Sequence, residues 1–138
     1  MKRVRQQHES GCVPACIAML ADISYASSIR LFEKLKIGSH KSFTVWGTTH
    51  KQMLKGMQYA GLNPFDRQRK TSLAKLKHNA ILVIEHEVYG EPHERTHAVV
   101  WDVKKQRVLD PYVGRGSLKR HLSTKIYEES LLYIVESR

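Results

Sequence analysis

The stretch that decides the fold is Cys12-Val-Pro-Ala-Cys-Ile-Ala-Met-Leu-Ala21, which is apolar along almost its whole length. Pro14 stands where the first turn of a helix tolerates proline, because the missing N–H has no intrahelical partner there. Ser10 and Gly11 precede the run and mark its start. We therefore predict a buried helix over residues 12–21.

The remainder of the first half is also predicted to be mainly helical. Apolar residues recur at helical spacing from about Ser27 to Lys36, and Gly38 follows the end of this pattern. A third helix is predicted to begin near Thr48 or Thr49 and to stop at Gly61.

The second half has the pattern of β-strands, beginning after Asn63-Pro64. Short β-branched runs bounded by polar turns are typical of strands, and Lys104-Lys105-Gln106 predicts the tight turn of a hairpin. Helices followed by consecutive antiparallel strands indicate an α+β domain. The predicted strands are Ala80–His86, His97–Val103, Arg107–Asp110 and Leu131–Val135, and Ser117–Glu129 is predicted to be a loop.

Composition places the chain among compact globular proteins. It has 138 residues, of which 41% are hydrophobic and 26% charged, and it contains no repeat or Pro-rich linker. We therefore expect a single domain over residues 1–138.

The basic amino terminus is not followed by an apolar run of signal-peptide or membrane-span length, so we expect no membrane segment and a cytoplasmic location.

The positive charge of the chain favours anionic partners. Lys and Arg number 23 against 13 for Asp and Glu, giving a formal net charge of +10. Nonspecific attraction to nucleic acid is compatible with this charge, whereas no motif of a sequence-specific nucleic-acid fold is present.

The two cysteines lack Cys-x-x-Cys spacing and a second cluster of ligands, so we expect reduced thiols, no metal ion and no other cofactor.

Cys12, His97 and Asp110 are the residues with the strongest chemical pattern. A thiol at a helix start gains stabilisation of its anion from the helix dipole, whereas Cys16, one turn inside, is expected to be buried with a raised pKa. His97 opens a predicted strand and Asp110 ends the next one at the same sheet edge. A carboxylate there can orient the imidazole, so the three residues form a candidate triad.

Other residues compete for two of these roles. Three other histidines are alternative candidates for the general base, namely His86, His93 and His121. Asp102 is a second candidate to orient it, but it lies five residues beyond His97 on the same strand and hence on the opposite face of the pleat. The hairpin therefore favours the pair of His97 and Asp110.

An oxyanion formed at Cys12 would need hydrogen-bond donors. The backbone amide of Cys12 and the side-chain amide of either Gln6 or Gln7 are the candidates in the sequence.

These motifs together resemble the papain-like cysteine peptidases, and most closely their bacteriocin-processing, double-glycine-leader group. The resemblance covers residues 6 to about 112, from Gln6 through the cysteine helix and His-Ala-Val-Val-Trp-Asp to Val-Leu-Asp-Pro. It implies a papain-like fold, with Cys12 as nucleophile, His97 as general base and acid, and Asp110 as the orienting residue. It also implies Gln6 as oxyanion donor, because the family places its glutamine six residues before the cysteine.

One residue departs from the pattern of this family. Where the family usually has glycine directly after the nucleophile, this chain has Val13, and we expect the added side chain to narrow the approach to the thiolate.

Three functions are compatible with these residues. The first is a thiol hydrolase that cleaves a peptide or amide bond, with a peptide or protein substrate whose acidity would match the charge of the chain. The second uses the same triad for acyl transfer or deamidation. The third is a basic, non-enzymatic binding protein for an acidic partner or nucleic acid, which would function without the thiol.

Overall fold

The computed structural model describes residues 1–7, 11–37, 50–69, 72–84, 97–111 and 131–135. The helices are α1 (Cys12–Ala21), α2 (Tyr25–Leu35) and α3 (His50–Tyr59), and Leu73–Lys75 forms one 3-10 turn. The strands are β1 (Pro64–Arg69), β2 (Ala80–Ile84), β3 (His97–Asp102), β4 (Arg107–Leu109) and β5 (Leu131–Val135).

The predicted α+β architecture is confirmed. The helices precede a five-stranded sheet of order β1-β5-β2-β3-β4, in which each pair of neighbouring strands is antiparallel. The predicted bounds of α1 and β5 agree with the structure, and those of the other predicted helices and strands differ at their ends. Gly38, Thr48, Thr49, residues 85–86 and the predicted loop 117–129 lie outside the described residues.

Helix α1 is buried on every side, as its composition predicts. All ten of its residues are buried, and they pack against α2, α3 and β3. The helix ends at Ala21, and the left-handed backbone of Asp22 lets the following Ile23 N–H donate to the carbonyl of Ala18 at 3.0 Å. The main core cluster joins Cys16 and Ile17 of α1 to side chains on the inner face of the sheet.

Helix α2 covers α1 with one face only. Its start is capped by the Ser24 hydroxyl, which accepts a hydrogen bond from the Ser27 amide at 3.0 Å. Its inner face buries Ile29 and Phe32, and the hydroxyl of Ser28 donates to the carbonyl of Pro14 at 2.7 Å. This last bond fixes α2 against the first turn of α1.

Strand β1 was not predicted from the sequence. Its residues Pro-Phe-Asp-Arg-Gln-Arg lack the alternation of apolar and polar residues that marks a half-buried strand, and most of them are exposed. The strand forms at the sheet edge by pairing with β5, with a break in register between Pro64 and Asp66. It therefore depends on a neighbour that lies more than sixty residues further along the chain.

No single helix in the described ranges is long and apolar enough to cross a membrane. Helices α1 and α2 meet the length and composition criteria only when taken together, as a pair bent by 114°.

Gly11 allows the start of α1 to lie close to α2, which gives a first prediction. A methyl group on Gly11 would collide with the Tyr25 hydroxyl and lie 3.2 Å from its ring carbon Cζ. Gly11→Ala should lower the free energy of unfolding by about 1–3 kcal/mol, the usual effect of overpacking, measured by urea denaturation.

Tyr25→Phe provides the control, because it removes the colliding hydroxyl and keeps the ring. In the Tyr25→Phe background the cost of Gly11→Ala should become smaller. An equal cost in both backgrounds would contradict this steric explanation.

Candidate active site

The start of β3 and the end of β4 bring His97 and Asp110 together. His97 is the first residue of β3, and Asp110 directly follows Leu109, the last residue of β4. Because β3 and β4 are antiparallel, with Val100 opposite Leu109, these two ends lie side by side. The His97 Nε2 and the Asp110 Oδ1 atoms are 2.7 Å apart.

Cys12 completes this group from the first position of α1. It forms a hydrogen bond with the side chain of His97. Since Asp110 contacts Nε2 of the imidazole, Nδ1 is the nitrogen left to face the thiol. The three side chains therefore form a continuous chain from sulfur through imidazole to carboxylate.

The surroundings of His97 stabilise its protonated form. Burial lowers the pKa of His97, but hydrogen bonds and charges from Asp110 and Cys12 outweigh it and raise the pKa from 6.5 to about 10. The side chains of His97 and Asp110 are only 14% and 24% exposed, so water screens this pair weakly. The geometry thus favours an imidazolium beside the sulfur.

Cys16 has the opposite environment, one helical turn deeper. Burial raises the pKa of Cys16 well above its usual value, and the negative charges of Cys12 and Asp110 raise it further. Both cysteines are free thiols. The described residues contain no group of three or more His, Cys, Asp or Glu side chains arranged to hold a metal ion.

The amino-terminal segment lies against the end of β4 and holds it in place. The Arg3 Nε donates to the backbone carbonyl of Asp110 at 2.7 Å, and the backbone N–H of Gln6 donates to the backbone carbonyl of Pro111 at 2.9 Å. Arg107 donates to the carbonyl of Met1 at 2.9 Å. These bonds join residues more than a hundred positions apart and fix the backbone that carries Asp110.

Gln6 lies near the start of α1, whereas Gln7 is exposed. The Gln6 Cβ lies 3.4 Å from the position that a Cβ on Gly11 would occupy, directly before Cys12. Gln6 is half-buried and Gln7 is exposed. Of the two glutamines, Gln6 is therefore the one that lies beside the residue preceding Cys12.

Asp102, the rejected alternative to Asp110, lies at the other end of β3 from His97. Its carboxylate is buried, 3.4 Å from the Arg107 Nε, and accepts a hydrogen bond from the Lys105 amide. The competing histidines at positions 86, 93 and 121 fall outside the described residues.

Val13, the residue that departs from the family pattern, is buried and belongs to the same core cluster as Cys12. The contact of Arg3 with the Asp110 backbone was missed, because the sequence showed Arg3 only as part of a basic terminus.

The raised pKa of His97 predicts how stability depends on pH. A group whose pKa is higher in the folded protein stabilises it fully below the unfolded value of 6.5, and this stabilisation is lost as pH rises toward 10. In Cys12→Ser the contributions of Cys12 to the pKa of His97 are lost, so this pKa should fall below 10 but stay above 6.5 because of Asp110. In this variant the free energy of unfolding should fall with pH above 6.5, by at most about 1.4 kcal/mol per pH unit.

Asp110→Asn, added to Cys12→Ser, is the matched comparison. Without the carboxylate the pKa of His97 is no longer held up, so the decline in stability above pH 6.5 should become shallower. Urea denaturation from pH 6 to 10 measures both curves, and parallel curves would show that Asp110 does not stabilise the imidazolium.

The chain also matches a known protein family. A model of the Peptidase C39 family matches residues 1–138. No curated protein and no solved structure gives a significant match to the chain. A family match over the whole chain, together with an α+β fold that begins with a cysteine helix, shows that the chain belongs to the Peptidase C39 family of cysteine peptidases.

Proposed function

We propose that this cysteine peptidase cleaves the peptide bond of its peptide or protein substrate through Cys12, His97 and Asp110. The observation that carries the proposal is the position of His97, which is hydrogen-bonded to Asp110 on one side and to Cys12 on the other. This arrangement supplies a nucleophile, a proton donor and acceptor, and a residue that orients the imidazole.

The reaction begins with a thiolate at Cys12 and an imidazolium at His97. The sulfur attacks the carbonyl carbon of the scissile bond, and the carbonyl oxygen becomes an oxyanion. His97 then gives its proton to the leaving nitrogen, the C–N bond breaks, and the acyl group remains on Cys12 as a thioester. His97 then takes a proton from water, the hydroxide attacks the thioester, and the C–S bond breaks, which releases the acid and restores the thiolate–imidazolium pair.

We assign two hydrogen-bond donors to the oxyanion. The amide of Cys12 belongs to the first turn of α1, where backbone N–H groups lack intrahelical partners and the helix dipole favours negative charge. The side chain of Gln6 is the second donor, since its Cβ lies beside Gly11. A donor lowers the activation barrier most when it is fixed before the reaction. The hydrogen bond from the backbone N–H of Gln6 to the carbonyl of Pro111 fixes the backbone at Gln6.

Access to the nucleophile is restricted in this structure. Only 2% of the surface of Cys12 is exposed. A peptide therefore reaches the sulfur only after the groups that cover Cys12 move apart, whereas a small reagent needs a smaller displacement.

The two alternative functions differ in whether they need the thiol. Acyl transfer to an amine would use the same thioester, whereas a non-enzymatic binding protein would not need the thiol at all.

Selective alkylation of Cys12 is the first test of this proposal. Iodoacetamide at pH 6 should modify Cys12 and leave Cys16 unmodified, because the imidazolium of His97 stabilises one thiolate and burial disfavours the other. His97→Ala should slow the reaction of Cys12 by at least about tenfold, as expected for a thiol that has lost an adjacent cation. Mass spectrometry of the digested protein locates the adduct.

The same protein in urea is the control, since both thiols should then react at equal rates. Equal and slow labelling of both cysteines in the folded protein would contradict the proposal and support the binding-protein alternative.

The oxyanion donors give a second test, in which Gln7 is the matched control for Gln6. With p-nitrophenyl acetate, a small activated ester, Gln6→Ala should slow acylation of Cys12 by about 10²–10³-fold, the usual cost of losing one oxyanion donor. Gln7→Ala should remain within about twofold of the native rate, because Gln7 is exposed. Equal rates for the two variants would remove Gln6 from the mechanism.

A further inference from the structure

A second group of polar side chains lies at the opposite margin of the sheet from His97. It is composed of His50, the first residue of α3, Arg67 and Arg69 of β1, and Tyr133 of β5. We call these four residues the basic cluster. They come from three separate elements, so only the folded chain brings them together.

Tyr133 is the fixed centre of the basic cluster. Its residue surface is only 2% exposed, and its hydroxyl is hydrogen-bonded to Nδ1 of His50. The two rings meet edge to face, with centroids 5.5 Å apart. Arg67 stands directly opposite Tyr133 in the register of β1 and β5, and its guanidinium hydrogen-bonds the same hydroxyl.

Within the part of the chain that the structure describes, the arginines of the basic cluster have no carboxylate partner. Among the described residues, neither Arg67 nor Arg69 forms an ion pair. The neighbouring acid Asp66 instead accepts hydrogen bonds from the backbone amide of Arg67 and the side-chain amide of Gln68. His50, Arg67 and Arg69 are exposed, so their donors are accessible to an anion from solvent.

The sheet register places the basic cluster at a defined distance from the triad. Arg69 pairs with Leu131, Leu131 with Val83, and Val83 with Ala98, the residue after His97. Three strand spacings of about 4.8 Å therefore separate Arg69 from this end of β3, which gives about 15 Å. Tyr133 and Cys12 belong to the same core cluster, so both lie on the helical face of the sheet.

This distance corresponds to a short length of extended peptide. At about 3.3 Å per residue, four or five residues span the 15 Å between the two sites. Two exposed guanidinium groups beside a fixed hydroxyl suit a carboxylate, which accepts charge-assisted hydrogen bonds from each of them.

The geometry points to the basic cluster as a specificity subsite that binds an acidic side chain of the substrate, four or five residues from the scissile bond. The inference rests on the proposed function, because the distance is counted from the end of β3 that carries His97. It narrows the substrate class from peptides in general to peptides with a carboxylate at one distance from the cleavage point.

Two series of reactive heptapeptides test the subsite. One series carries a carboxyl-terminal chloromethyl ketone and represents residues before the scissile bond; the other carries an amino-terminal chloroacetyl group and represents residues after it. In both, a single Glu is moved along an Ala background, with Gln at the same position as the neutral match. The measured quantity is the rate of Cys12 alkylation.

In one of the two series, Glu at the fourth or fifth residue should give alkylation about tenfold faster than Gln, in keeping with a hydrogen bond to a charged group. The preference should shrink in 0.5 M NaCl, since these side chains are exposed. In the double variant Arg67→Glu/Arg69→Glu it should disappear, and Lys at that position should become the faster residue.

Lys104→Glu/Lys105→Glu is the matched control. It makes the same change in net charge in the exposed turn between β3 and β4, beyond the end of β3 that is opposite His97, and should keep the preference for Glu. The inference is overturned if Glu and Gln react equally at those positions in both series, or if the preference survives Arg67→Glu/Arg69→Glu. Failure of the proposed function looks different, because iodoacetamide would then label Cys12 and Cys16 equally slowly, and the inference would fall with it.

Discussion

The complete burial of α1 is the constraint on which the rest of the structure depends. A helix that is apolar on all sides must be enclosed, and here α2, α3 and the inner face of the sheet enclose it. Because the helix begins with Cys12, its enclosure also places a thiol at the sheet end where His97 begins β3. The position of the Cys12 sulfur beside His97 is thus a consequence of core packing.

The same burial creates an electrostatic cost that the site has to offset. Desolvation disfavours an imidazolium at His97, and only the hydrogen bonds and charges of Asp110 and Cys12 raise its pKa above the ordinary value. Asp110 must therefore be held accurately, and the bond from Arg3 to its carbonyl contributes to this. Stability and reactivity at this site depend on the same hydrogen bonds, so a change that loosens the amino-terminal segment acts on both.

The features predicted from the sequence are those determined by local composition. Helix α1 and strand β5 are apolar runs whose burial is required wherever they lie, and the hairpin turn is encoded by adjacent polar residues. The order of Gln6, Cys12, His97 and Asp110 was informative because the resemblance to a family relates these distant positions. By contrast, the contact between Arg3 and Asp110 depends on how the chain returns after a hundred residues, and no local pattern encodes it.

The polar and charged residues of β1 explain why this strand was not predicted, and they also carry part of the positive charge of the chain. Its polar sequence conceals the strand, since no apolar alternation marks a face, and pairing with β5 is what makes it extended. That pairing then gives each of its arginines a fixed register relative to Tyr133 and the end of β3. A net charge of +10 attracts anions of every kind, whereas charges held in register at one distance from the start of β3 can discriminate between them. The arginines that made β1 difficult to predict are therefore the residues that select for a carboxylate at one position of an extended peptide.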